Sequence, residues 1–340
     1  MPFAVITLGF DPTVYFGPFA VRWETLGLAA AILTALLLAA AYVRADHGSG
    51  RSAIAGVPGR PALRLDDLLY LAVAAVPGAV VGGRLVLALD FLDYYQAHTG
   101  ALLDPGQGSL SLLGAVLGGT ITVVLMCRLL QVPVRRWLDT LAVPLLVAIG
   151  LGKLAYLLGG GGQGVPWNGP WAVAFTGPGP WLSALASVPA HPSQVYEGAW
   201  TLVGALVVGL ATFASAPARS ASAGPARVSA FHAGVGLRYA FALAWWLLGR
   251  AIVGFTWTNP PAVAGLDVEQ IAALVVLCLV GVMVAWQLRP GAPIEPEIAG
   301  DGTFGDGVSG VGASGGELTD PSRDGPRTPG KPRSAPRRPA

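Results

Sequence analysis

The chain has 340 residues, of which 53% are apolar and only 12% charged, and its formal net charge is +2. Soluble domains carry roughly 25% charged residues, so this composition excludes a water-soluble globular protein and predicts an all-α integral membrane protein. No nucleic-acid partner is expected.

Apolar stretches recur seven times, near residues 26–43, 68–83, 110–127, 140–158, 199–216, 237–255 and 268–288. Several approach the ~20 residues a helix needs to cross a hydrocarbon core, and helices are the expected spanning form because no strand-like alternation is present. Residues 1–288 are therefore assigned to a seven-helix membrane domain. Basic residues fix its expected orientation. Arg44, Arg51, Arg60 and Arg64 follow the first span, Arg128, Arg135 and Arg136 the third, and Arg219, Arg227 and Arg238 the fifth. Arg289, Arg323, Arg327, Lys331, Arg333, Arg337 and Arg338 follow the seventh. By the positive-inside rule these loops and the C-terminus are cytoplasmic, and the N-terminus lies outside. No cleavable leader is expected, because residues 1–22 lack a basic n-region. The Gly, Pro and Ser-rich tail 289–340 is expected to be disordered, as is the connection 214–229. Cys127 and Cys278 fall inside spans and are expected to be small buried apolar groups.

Arg22, Arg84, Lys153 and Arg250 break the charge bias. At ~1.5 Å per helical residue, Arg84 lies about 25 Å above Asp67, Lys153 about 21 Å above Asp139 and Arg250 about 18 Å above Arg238. Lys153 and Arg250 are thus expected within the outer leaflet, where a cation must face the bundle interior, a water-filled cavity or an anion. Two readings stand. The cations snorkel or pair with Glu24, Asp90 or Glu197 as structural glue, or they converge on a phosphate, the acidic group most abundant at that depth.

The longest expected outer segment, 158–190, opens with the glycine run 159–162 and Gln163-Gly164, followed by Trp167, Trp171 and Trp181. The glycines permit positive φ and a close approach to a ligand, or serve as a linker; the tryptophans suit interfacial anchors. His191-Pro192-Ser193-Gln194-Val195-Tyr196-Glu197 leads into the fifth span. Pro192, Ser193 and Glu197 are helix-start residues, whereas His191, Gln194 and Tyr196 have no such purpose. A spacing of three puts Gln194 and Glu197 on one face, with Tyr196 toward the mouth of the bundle.

This heptad resembles the HPSQLYE signature of the prolipoprotein diacylglyceryl transferases, seven-helix enzymes of the bacterial inner membrane. Gly152-Lys153-Leu154-Ala155, then Gly164-Val165-Pro166 and Pro170-Trp171-Ala172-Val173-Ala174-Phe175, are similar to the GRIG, GxP and PWAVxF elements. Gly82-Gly83-Arg84-Leu85 resembles GxRL, Gly17-Pro18 with Arg22-Trp23 resembles the opening GP and W segment, and Gln270 fits the GQ position. The chain also departs from the pattern. Leu113-Gly114-Ala115 takes the place of HGG, Lys153 that of the GRIG arginine, and Tyr156 and Gly161 those of an asparagine and a glutamate. Trp246, Gly254 and Trp257 replace a tyrosine, an acidic residue and an arginine.

The resemblance implies transfer of a diacylglyceryl group from phosphatidylglycerol to the lipobox cysteine of a prolipoprotein signal peptide, with glycerol 1-phosphate released. Lys153 and Arg250 are then the expected catalytic cations, with Arg84, Gln194, Tyr196 and Glu197 binding substrate. His191 is the candidate general base, the phospholipid phosphate itself being the other. No metal and no cofactor are expected. The competing reading is a homologue that binds phospholipid or signal segments without transfer. A retinal receptor is excluded because the last span has no lysine, and a transporter is disfavoured because no internal repeat is visible.

Overall fold

The computed structural model describes residues 5–48, 63–102, 104, 110–214 and 236–289. Seven of its helices are long and apolar enough to cross a membrane. In chain order the spans are α1 (Trp23–Gly48), α2 (Leu65–Asp90), α4 (Leu112–Leu129), α5 (Val134–Leu157), α6 (Ser193–Ala214), α7 (Leu237–Val253) and α8 (Val268–Gln287), with a short α3 (Leu92–Ala97) between the second and third. The residues expected to form the tail, from 290 onward, and most of the 214–229 connection lie outside the described residues, as do many of the arginines behind the orientation argument.

Three spans extend well beyond their hydropathy limits, two of them, α6 and α5, because polar residues face inward. Helix α6 begins at Ser193 rather than near 199 because Gln194, Glu197 and Thr201 are fully buried on its inward face. Polar residues turned inward read as loop in a hydropathy profile. Likewise α5 starts at Val134, and its Asp139 accepts hydrogen bonds from the backbone N–H groups of Gly236 (3.1 Å), Arg238 (3.0 Å) and Tyr239 (3.1 Å). That carboxylate satisfies the orphan donors at the start of α7 and complements its dipole. Helix α2 runs on to Asp90, so Arg84 lies inside it.

Helices α2 and α4 meet backbone to backbone. Gly78 and Gly82 on one and Gly114 and Gly118 on the other are each spaced by four, and an added Cβ on any of them runs into the partner helix: Gly82 into Gly114 O, Gly118 into Gly78 O. In lipid, where apolar side chains gain nothing by leaving tails, such small-residue seams give close van der Waals packing. Helices α6 and α7 use a different device. Trp200 and Trp245 stack at 4.9 Å, each indole N–H bonding the other's carbonyl at 2.8 and 2.9 Å, and Gly204 and Gly249 make room for the rings. The central apolar core joins Leu113, Leu146, Trp246, Leu247 and Ala273. A second core gathers Val43, Leu71, Cys127 and Trp137 near the other end. Cys127 is buried as expected, but Cys278 is exposed on the surface of α8, because α8 turns that face away from the bundle.

The segments joining spans at the end where α5 finishes and α6 begins fold into a small cap. The hairpin β2 (Thr13–Phe16) and β3 (Phe19–Arg22) leads into α1, and β1 (Ile6–Leu8) pairs in parallel with β4 (Val173–Phe175). Gln163 Nε2 donates to the carbonyls of Val173 (3.1 Å) and Ala186 (3.2 Å), which ties the loop after α5 together.

Gly118→Val should lower stability by about 1–3 kcal/mol in a denaturant titration in detergent, the usual range for overpacking. Gly281→Val is the control: a Cβ there meets nothing within 4 Å, and the transition should not move.

Candidate functional site

At the capped end, four spans bring charge to one buried point. Glu197 of α6 is fully buried and accepts from Lys153 Nζ of α5 at 2.8 Å and from Arg250 Nη1 of α7 at 2.9 and 3.1 Å. Arg250 Nη2 bonds Glu269 of α8, and the other oxygen of Glu269 accepts from Ser111 Oγ, at the start of α4, at 2.5 Å. Two cations and two carboxylates make a formally neutral cluster. Isolated charges in such a place would carry a desolvation penalty of several kcal/mol each, so every member depends on the others. The expectation of converging cations is met for Lys153 and Arg250, but Glu197 and Glu269 neutralise them. This pairing was the competing reading at the sequence level for Glu197.

The surroundings are polar and incompletely satisfied. Lys153 Nζ lies 4.7 Å and Arg250 Cζ 5.9 Å from the Trp257 ring centroid, so the indole covers both cations. Arg250 Nε, Trp257 Nε1 and both amide atoms of the fully buried Gln194 have no hydrogen-bond partner among the described residues. Buried polar atoms without partners are rare and mark places where a ligand or water completes the bonding. The glycine run is ordered against this cluster and does not act as a slack linker. Gly160 and Gly162 take φ of +72° and +71°, and any side chain at Gly161 or Gly162 would enter the space of Tyr156, Gln194 or Trp257.

Helix α6 starts here because Pro192 and its carbonyl open the first turn, with Val195 N and Tyr196 N bonding Pro192 O at 2.9 and 3.2 Å. Ser193, expected as a cap, instead bonds Thr256: Oγ to Oγ1 at 2.7 Å and Oγ donating to the carbonyl at 3.0 Å. It thereby ties α6 to the turn after α7. The start of α8 carries a reciprocal cap, Gln270 N to Asp267 Oδ1 at 2.6 Å and Asp267 N to Gln270 Oε1 at 3.0 Å. Gln270 Nε2 also donates to Ala251 O at 3.0 Å. These bonds fix Glu269, one residue earlier, against Arg250.

The other expected site residues fall into separate groups. Arg84 donates to Asp104 O at 2.8 Å and does not join the four-charge cluster. Arg22 donates to Gly159 O at 3.1 Å and lies 3.6 Å from Glu24, holding the glycine run from the α1 side. His191 stacks on Trp167 at 4.2 Å and faces Tyr196, whose hydroxyl lies 3.4 Å from His191 Nδ1 and accepts from Trp171 Nε1 at 3.1 Å. The hydroxyl of Tyr196 donates to Nδ1 or accepts from it according to the tautomer of His191. Burial holds the His191 pKa below its ordinary value, which favours the neutral imidazole. Trp171 sits in left-handed backbone at φ 57°, a strained geometry for a large side chain. Trp181 packs on Phe10 and Phe175 inside the cap, at 5.3 and 4.8 Å, so the expected interfacial anchor is a loop-core residue.

Leu113 is fully buried in the central apolar core with Leu146, Trp246 and Leu247. Sequence reasoning missed Glu269 and Ser111. A glutamate at the edge of an apolar span was the available signal, since a charge there is expensive unless paired.

The family model for prolipoprotein diacylglyceryl transferase matches residues 12–286. A phosphatidylglycerol–prolipoprotein diacylglyceryl transferase from Methylocella silvestris is 31% identical over 202 residues, covering 58% of this chain and 68% of that protein. Proteins of the same name from Cupriavidus pinatubonensis and Rhodopseudomonas palustris are each 30% identical over 213 residues, covering 61% of this chain and 70% and 69% of theirs.

Glu197→Ala should destabilise the protein by about 3–5 kcal/mol, because it strands buried cations. Lys153→Met should do less harm, since Arg250 still neutralises Glu197; unfolding of both variants in the same detergent measures the difference.

Proposed function

The chain belongs to the prolipoprotein diacylglyceryl transferase family, and on that premise we propose that it transfers the diacylglyceryl group of phosphatidylglycerol to the lipobox cysteine thiol of a prolipoprotein. The observation that carries this reading is the cluster itself. Lys153 and Arg250, from different spans, are held on one carboxylate beside the unpartnered atoms of Gln194, Arg250 and Trp257. In this reading the lipid phosphate takes up those free hydrogen-bonding positions and draws Lys153 and Arg250 toward its oxygens. As the glyceryl carbon leaves for sulfur, its bond to oxygen breaks and negative charge collects on the departing phosphate. Cations preset in a dry site stabilise that charge without reorganisation.

The remaining assignments follow from position. Gln194 offers both donor and acceptor to the headgroup. Tyr196 and His191, at the cap surface with Trp167 and Trp171, line the approach of the acceptor peptide, and Arg84 stands on the lipid's side of the same end. The protein is placed in the bacterial inner membrane with this end toward the outer leaflet, in keeping with its arginine distribution. A Lys in place of an Arg at position 153 supplies charge without a forked pair of donors, so headgroup selection rests more heavily on Arg250. The buried apolar setting of Leu113 favours the second reading, a member that binds lipid and signal segment without transfer.

The two readings separate in one assay. Purified protein in lipid nanodiscs with phosphatidylglycerol and a lipobox peptide should add a diacylglyceryl mass to the peptide cysteine; lipid binding without mass gain would support the binder instead. Lys153→Ala and Arg250→Ala should each lower the transfer rate by about 100-fold or more, the scale for loss of one preset electrostatic donor, while the protein still inserts and folds. Retained transfer in both variants would remove the cluster from the chemistry.

A further inference from the structure

Binding an anionic phosphate gives no reason for a second carboxylate in the cluster. Glu197 already bridges the two cations, and Glu269 adds a negative charge that a phosphate would be repelled by. Glu269 is nonetheless held with care. It is 6% exposed, bonded to Arg250 Nη2 through Oε2 and to Ser111 Oγ through Oε1 at 2.5 Å. Ser111 is itself fixed, its backbone N–H donating to Gly83 O at 3.1 Å and its Oγ accepting from Gly114 N at 3.3 Å. A narrow crevice lined by Arg250, Gly254, Trp257, Asn259, Asp267, Glu269 and Gln270 lies beside the carboxylate.

The proposed transfer also lacks something. A cysteine thiol with pKa ~8.5 is mostly protonated at neutral pH and needs a proton acceptor. Leu113 cannot serve, and His191 is stacked on Trp167 and paired with Tyr196 in the cap. Glu269 reaches the same turn of α4 that carries Leu113, by way of Ser111 two residues earlier. We propose that Glu269 is the catalytic base that takes the proton of the lipobox thiol, with Ser111 as its positioning residue. This rests on the diacylglyceryl-transfer reading.

The step balances. The lipid phosphate draws Arg250 Nη2 away from Glu269, and the freed Oε2 accepts the S–H proton. The sulfur lone pair forms the carbon–sulfur bond to the glyceryl carbon as the carbon–oxygen bond to phosphate breaks. The bonding electrons leave on the phosphate oxygen, beside Lys153 and Arg250. The proton on Glu269 then passes to the departing glycerol 1-phosphate, which restores the carboxylate. The charged groups around Glu269 are Arg250 on α7, Lys153 on α5 and Glu197 on α6 beyond it, Asp267 at the start of α8, and Asp90 at the end of α2 within electrostatic reach of Arg250.

The test is the rate of transfer against pH, from about pH 5 to about pH 9, for the parent, Glu269→Gln, Glu269→Asp, Ser111→Ala and His191→Gln in nanodiscs with phosphatidylglycerol and a lipobox peptide. The parent should rise from acid pH to a plateau. Glu269→Gln should lose about 100-fold or more in kcat at neutral pH, the range for a general base, with KM for phosphatidylglycerol unchanged. Its residual rate should climb about tenfold per pH unit toward the thiol's own pKa, having lost the plateau. Glu269→Asp should keep the acid limb, and Ser111→Ala should fall between. These two variants decide the matter if Glu269→Gln does not fold. A Glu269→Gln enzyme with an unchanged profile, a loss confined to KM, or an acid limb that vanishes in His191→Gln instead would overturn the assignment. Absence of transfer by the parent would overturn the proposed function itself, a result visible before any variant is compared.

Discussion

Glu197 is the residue on which the site depends. It is fully buried, it lies one turn into α6, and its carboxylate is the single acceptor that Lys153 and Arg250 share. Without it, α5 would present a bare cation to the bundle interior, at a desolvation penalty of several kcal/mol, and Arg250 of α7 would keep only Glu269. With it, two long flexible side chains are held in one geometry before any substrate arrives. Buried ion pairs are weak contributors to net stability, so a four-member network of this kind points to a chemical purpose for the charges.

The architecture around Glu197 keeps that geometry. The Trp200 and Trp245 pair locks α6 to α7 below the cluster, and Ser193 bonds Thr256 above it. Asp139 closes the opposite end of α7 on α5. Helix α7 is therefore held to α5 at one end and to α6 at the other, which is the condition for preset electrostatics. An added Cβ at Gly254 would strike Gln270, so the turn after α7 packs directly on the start of α8, whose Glu269 pairs with Arg250.

The span count and the convergence of Lys153 and Arg250 were legible in the sequence, because apolar length and misplaced charge are local signals. Helix limits at Ser193 and Val134 were not, since inward-facing Gln194, Glu197 and Asp139 lower hydropathy as loop residues do. The small-residue spacing of Gly78 with Gly82 and Gly114 with Gly118 was present to be read, but which helices it joined required the fold. Arg84 looked equivalent to Lys153 by depth and was not, because depth along a helix says nothing about the face on which a side chain leaves it. Glu269 was not legible as a cluster member, because an acidic residue in the first turn of a helix already suits the positive end of its dipole.

The glycine seam of α2 and α4 has a consequence for traffic. Two backbones in direct contact leave no gap for an acyl tail, so this pair acts as one unbroken wall. No acyl tail can slide in from the bilayer between α2 and α4 where those glycines meet.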